Sequence, residues 1–234
     1  MDRALPAAQE CNVEEIFVIG EAENATPFSE LLNNPGIPPK VTIDPKNDLV
    51  ALPYSSGTTG LSKGVMLTHE NLSSNMVLSE SINPLLDEDL MVGVLPFFHI
   101  YGMVLILNLA IYRGVTLVTM PRFDLEQFLQ IVEDYKISTL SLVPPLVLAL
   151  AKHPLVDKYD TSSIRLISSG AAPLGAEIEE ACAERLGCQI YQGYGLTEVS
   201  GACHVNSVPV PAEKTGAVGR VIPNTYSKVI DTET

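Results

Sequence analysis

From about residue 41 onward, short apolar runs alternate with segments of helical periodicity. That alternation restricts the fold more than any other feature, because strands joined through crossover helices assemble into a mostly parallel sheet. Candidate strands are Leu49 to Tyr54, Leu90 to Leu95, Val115 to Thr119, Ser138 to Val143, Ile164 to Ser168 and Cys188 to Tyr191. Between them, Asp124 with Gln127 three residues on forms a capping-box pattern that starts a helix with Leu125, Phe128, Leu129 and Val132 on one face. A second helix runs from Leu174 through Ile178 and Cys182 toward Leu186 and stops at Gly187. The expected fold class is therefore α/β, with parallel strands and crossover helices. A chain that is 46% hydrophobic and 18% charged suits elements covered on both faces.

The first forty residues form a weaker lead-in, with EEIFVIG as a possible strand, PFSELL as a short helix and NNPGIPPK as a loop. The expected division is 1–40 as a partial lead-in and 41–234 as an incomplete core. SKVIDTET reads as a strand running into a turn, which leaves the chain looking cut short. Leu90 to Tyr112 lacks Lys, Arg, Asp and Glu and has the length of a membrane span, but Gly93, Pro96, His99, Gly102 and Asn108 interrupt it. LMVGVL then reads as a buried strand and IYGMVLILNLAIY as a buried helix, with no transmembrane segment expected. Cys11, Cys182, Cys188 and Cys203 show no CxxC pair and read as reduced packing residues.

A net charge of −14 disfavours a nucleic-acid partner, so an anionic ligand needs a local exception to it. YSSGTTGLSKGV, from Tyr54 to Val65, is that exception: no acidic residue lies between Leu49 and His69. Glycines let backbone N–H groups approach an anion, the hydroxyls add donors, and Lys63 adds charge. The spacing is not that of a Walker A loop, since Gly64 follows Lys63 where Ser or Thr is required. On composition alone a flexible Gly/Ser surface loop remains open.

SSGTTGLSKGVMLTHENL (Ser55 to Leu72) resembles the phosphate-binding signature of the adenylate-forming superfamily of acyl-CoA synthetases, 4-coumarate:CoA ligases and beetle luciferases. Further segments of that family follow in order: LPFFHIYG, SLVPP, SSGAAPLG, YQGYGLTE and GAVGRVIPN. The resemblance implies the large amino-terminal domain of such an enzyme, without its carboxy-terminal lid. It also implies attack of a carboxylate on the α-phosphate of ATP, release of pyrophosphate, and transfer of the acyl group to coenzyme A. Two anions must then meet, at a cost of about 4 kcal/mol for like charges about 4 Å apart at an effective dielectric near 20, so fixed positive partners are needed.

Residue by residue, the resemblance assigns Ser55, Ser56, Gly57, Thr58, Thr59, Gly60 and Lys63 to the phosphates, Thr197 to the α-phosphate and Glu198 to Mg2+. Tyr194 stacks on adenine, Gln192, Gly193 and Gly195 keep the backbone near the adenylate, and Gly170, Ala171 and Ala172 form the opposite wall. His99 borders the carboxylate and the thiol, Tyr101 lines the acyl pocket, with Gly170 and Gly193 also facing the acid, and Arg122 meets the coenzyme A phosphates. Ser62 departs from the proline common at its position, which loosens the loop slightly.

The expected substrate is an aromatic or fatty carboxylic acid. The alternatives are a non-catalytic nucleotide-binding or interaction module, and a luciferase-like oxygenase that shares the adenylation step. A shortened chain is expected to be poorly active alone and to associate through uncovered surface. An acidic, disulfide-free chain without a signal peptide fits an intracellular compartment, cytoplasmic or peroxisomal.

Overall fold

The computed structural model describes residues 2–55, 61–211 and 214–231. Two compact units are present, 1–43 and 44–234. The first holds a helix Ala4–Glu10, a parallel two-strand pairing of Phe17–Val18 with Thr26–Pro27, and a short helix Phe28–Leu32. Cys11 is exposed there, so it is not a packing residue.

The second unit is built on a seven-stranded sheet. Its strands are β1 (Leu90–Gly93), β2 (Thr116–Thr119), β3 (Thr139–Leu142), β4 (Leu166–Ser169), β5 (Gln189–Leu196), β6 (Gly201–Val205) and β7 (Arg220–Val221), in spatial order β7-β6-β5-β4-β3-β1-β2. From β2 to β5 every pairing is parallel, as expected, whereas β6 and β7 add antiparallel. The helices are α1 (His69–Glu80), α2 (Leu125–Tyr135), α3 (Pro144–Lys152) and α4 (Ala176–Leu186). Asp124 caps α2 by accepting from the Gln127 backbone N–H at 2.9 Å, and Gly187 ends α4 in the left-handed region at φ 65°.

Strand alternation sorts side chains to two faces. Val92, Leu140, Leu142 and Ile167 pack with Phe128, Leu129, Val147 and Cys182 into one core. On the other face Met91 joins Met76 of α1 and Ile100, Val104 and Leu109 of the segment 100–113. That segment is helical throughout but contains a π-helical stretch, Met103–Asn108. No helix among the described residues is long and apolar enough to cross a membrane.

Three expectations need correction. Leu49 to Tyr54 is not one strand. Pro53, which has no N–H for a ladder, separates Leu49–Ala51, paired with Leu67–Thr68, from Tyr54–Ser55, paired with Lys63–Gly64, and both pairs stand outside the main sheet. The strand beginning near Cys188 continues to Leu196, because its glycine-rich half pairs with β6. The SKVID segment forms no strand, since no neighbour among the described residues supplies a ladder, and Tyr226 and Val229 lie fully exposed.

At the N-terminal ends of the central strands, Asp89, Ser138 and Arg165 form a clasp. Asp89 accepts from Ser138 Oγ at 2.6 Å, from Arg165 Nε at 2.8 Å and from the Leu86 N–H at 2.7 Å, while Arg165 Nη2 completes an ion pair. Burial raises the Asp89 pKa, but these donors outweigh it and hold the carboxyl below its ordinary 3.8. A depressed carboxylate stabilises the fold above its unfolded-state pKa, and that contribution is lost as the pH falls through the folded value. Arg165→Met is expected to lower stability at neutral pH and to flatten its acid dependence below pH 3.8, read from urea unfolding across a pH series.

Candidate functional site

Between the sheet and the layer of α1 and residues 100–113 lies a cavity of about 100 Å³ that opens where β4 and β5 end. In open parallel sheets the carboxyl ends of the strands are where ligands sit. Gly170, Ala171, Gly193, Tyr194 and Gly195 line it near those strand ends, together with His99 and Tyr101. Ala171 holds φ 70°, a conformation rare for a residue with a Cβ, at the turn following β4. A Cβ on Gly170 would stand 3.1 Å from the Tyr101 ring, which explains the glycine.

His99 caps the segment that follows it, its Nδ1 accepting from the Tyr101 N–H at 3.2 Å. In the neutral ring the proton then resides on Nε2, leaving a donor free. The Tyr101 hydroxyl lies 3.1 Å from Ser168 Oγ, and burial lifts its pKa well above the ordinary value, so it remains a neutral phenol.

Two further segments, outside the cavity lining, lie against each other. Tyr54–Ser55 and Lys63–Gly64 form a short ladder in which Ser55 stands opposite Lys63. The residues between them that the sequence assigns to phosphates, Ser56, Gly57, Thr58, Thr59 and Gly60, lie outside the described residues. Thr197–Val199 is a 3-10 turn at the end of β5, and its Glu198 carboxylate is exposed. The Ser55 hydroxyl foremost, then the backbone N–H of Glu198 itself and the Lys63 charge, hold Glu198 below the usual 4.5. Ser55 Oγ is buried and has no hydrogen-bond partner among the described residues, so its hold on Glu198 is a longer electrostatic one. Ser55 and Lys63 on one side and the glutamate turn on the other are therefore neighbours.

Gln192 and Ala172 do not face the cavity. Gln192 is buried, and its amide is filled by the Leu174 N–H at 3.1 Å, the Leu174 carbonyl at 3.0 Å and Glu179 at 2.6 Å. It ties the turn after β4 to β5 rather than presenting a side chain to a ligand. Arg122 is exposed on the loop after β2 and also lies off the cavity.

Sequence reasoning missed Asn75 of α1. Its amide donates to the carbonyls of Val199 at 3.1 Å and Ala202 at 2.7 Å and accepts from the Ala202 N–H at 3.1 Å, clamping the chain on either side of the reversal after Glu198. Its available signal was an amide on a helix face shared with Met76 and Ser79, all three buried. Ser169, whose buried hydroxyl has no partner among the described residues, was likewise missed. Asn75→Ala removes the partner of two buried backbone groups, the N–H and carbonyl of Ala202, and of the part-buried Val199 carbonyl, and is expected to cost about 1–3 kcal/mol in urea unfolding. Hydrogen exchange at residues 197–202 is expected to rise at the same time.

The chain matches the AMP-binding enzyme family over residues 2–234. It is 42% identical to 4-coumarate–CoA ligase 2 of Petroselinum crispum over 243 aligned positions, covering 100% of this chain and 44% of that protein. Against the ATP-bound crystal structure of MatB from Rhodopseudomonas palustris it shows 32% identity and a TM-score of 0.67, over 76% of this chain and 34% of the other. The anthranilate CoA ligase AuaEII shares the fold at a TM-score of 0.84 and 24% identity, over 98% of this chain and 46% of its own. The chain spans 38–44% of the length of the curated relatives it matches. With a family match that runs nearly from end to end, the chain belongs to the AMP-binding enzymes.

Proposed function

We propose that the chain carries the adenylate-forming site of a carboxylate–CoA ligase. One observation supports this most: paired Ser55 and Lys63 lie beside the Glu198 turn and both act on the Glu198 carboxylate. Relatives named as 4-coumarate–CoA ligases and a structural relative with bound ATP agree with it.

On this reading Ser55 to Gly60 and Lys63 receive the β- and γ-phosphates, and Thr197 receives the α-phosphate. The donor set at Glu198, a hard and ionised carboxylate open to phosphate oxygens, fits Mg2+, which would spread the charge of the leaving pyrophosphate. Tyr194, about half exposed at the mouth, offers its face to adenine between Gly193 and Gly195. Gly170 and Ala171 bound the other side, and the free Nε2–H of His99 holds the acid's carboxylate for attack. Arg122 would meet the phosphates of coenzyme A. The acid enters the cavity beneath, and exposed apolar side chains such as Phe98 and Ile111 are where the chain would associate.

Calorimetric titration of the chain with ATP and Mg2+ tests the proposal. Saturable binding is expected, weakened at least about tenfold by Lys63→Ala, and with its Mg2+ dependence removed in Glu198→Gln. The same variants are expected to lower acid-dependent exchange of pyrophosphate into ATP by about 100-fold in the protein that carries this chain. Absence of ATP binding, or binding indifferent to both substitutions, would overturn it.

A further inference from the structure

Glu179, in the first turn of α4, is 4% exposed and forms no ion pair among the described residues. Burial foremost raises its pKa above the ordinary 4.5 and Glu180 adds a like charge, while donors from Gln192 and Gly216 pull the other way and fall short. Cys182, one turn further along α4, is pushed up to about 12 by burial and stays a neutral thiol. Glu177 on the same helix, Lys152 at the end of α3, and Lys214 and Arg220 on either side of Gly216 are all exposed. A carboxyl raised in this way favours the fold at low pH, and that contribution is lost as the pH rises through its folded value. The chain thus keeps, at neutral pH, a buried charge that weakens its own fold.

What this carboxylate holds gives it a use. Its Oε2 accepts from Gln192 Nε2 at 2.6 Å and from the Gly216 N–H at 3.1 Å. Gly216 holds φ 83°, and a Cβ there would stand 3.2 Å from the Ala176 Cβ, so the glycine lets its N–H approach the start of α4. The Gln192 amide also accepts from the Leu174 N–H at 3.1 Å and donates to the Leu174 carbonyl at 3.0 Å. Leu174 follows Gly170 and Ala171, and Gln192 precedes Gly193 to Gly195, the segments that face each other across the cavity mouth. One buried amide therefore braces the two walls, and Glu179 anchors that amide.

The 2.6 Å bond is shorter than an ordinary N–H···O bond and suits an ionised acceptor. Bonds to a charged group are about twice as strong as neutral ones, so proton uptake would weaken the hold on Gln192 and Gly216 together. Resting on the adenylation reading above, we propose that Glu179 is a positioning residue for the adenylate, whose carboxylate draws Gln192 and Gly216 inward and sets the spacing of the two walls, and that a nucleotide seated between them drives a proton off it. A ligand packed between the walls favours the tightened, ionised arrangement, and by linkage that arrangement binds the ligand better. Affinity then rises with pH through the range in which Glu179 gives up its proton.

The test is calorimetry of the chain with 5′-O-(N-cinnamoylsulfamoyl)adenosine, a stable mimic of an acyl-adenylate that keeps one negative charge between about pH 5 and pH 8. Titrations at about pH 5.5 in buffers of different ionisation enthalpy count the protons exchanged on binding. His99 and His204 are common to all the proteins compared, so the difference between them reports Glu179. Glu179→Gln keeps the shape and the accepting oxygen but not the charge. It is expected to release fewer protons than the unaltered chain and to bind about three- to tenfold more weakly at about pH 7.5, with the gap closing toward pH 5. Without the buried charge it is also expected to unfold at a higher urea concentration at about pH 7.5. Gln192→Met, which takes away the amide and leaves the carboxyl, is expected to lose the same proton release, and either variant alone suffices for the comparison. Proton release unchanged in both variants, or an affinity gap that is equal at every pH, would overturn the inference while leaving the adenylation reading in place. Failure of the analogue to bind the unaltered chain would remove both.

Discussion

Two backbones pass each other where β5 turns into β6, and no side chain fits between them. A Cβ on Gly195 would lie 2.0 Å from the Gly201 carbonyl oxygen, and one on Gly201 would lie 2.5 Å from the Asn75 amide. Gly201 also holds φ 137°, open to glycine and little else. Because the strands approach this closely, the chain reverses within one turn, Asn75 reaches both sides of the reversal, and Glu198 comes to rest beside Ser55. Loosening the crossing would move the carboxylate, the mouth of the cavity and Tyr194 together.

The opposite end of the sheet is organised by charge rather than by close approach. Asp89, Ser138 and Arg165 join the starts of β1, β3 and β4 through a buried carboxylate whose donors outweigh its loss of water. The sheet is thus tied at one end by an ionic clasp and at the other by backbone contact plus one amide. Between them lie the apolar core on one face and the hydroxyl-floored cavity on the other.

Much of this was legible in the sequence, and for identifiable reasons. Buried parallel strands read as apolar runs, so LMVG, TLVT, TLSL and LISS stood out, and Asp124 and Gly187 marked helix ends through local chemistry. The glycine- and hydroxyl-rich turn with Lys63 stood out because nothing acidic interrupts it. What stayed hidden depends on distance along the chain. The expected strand stopped at Tyr191, short of the second half of β5, because the pairing partner of that half lies beyond a turn that only glycine permits. Gln192, within a motif that suggested ligand contact, instead spends its amide on Leu174 and Glu179. The alternation of TLSL could announce a strand, but not that its two hydroxyls would floor a cavity.

The π-helical stretch Met103–Asn108 bears on how such a cavity changes over descent. A π turn accommodates a residue more than an α turn, and here it sits in the wall that carries Leu105 and Leu109. Removal of a single residue would return the stretch to α geometry, shifting the side chains of the stretch itself while the helix on either side keeps its phase. A lineage can therefore recontour one wall through a change in length alone, leaving the strands and their clasp intact.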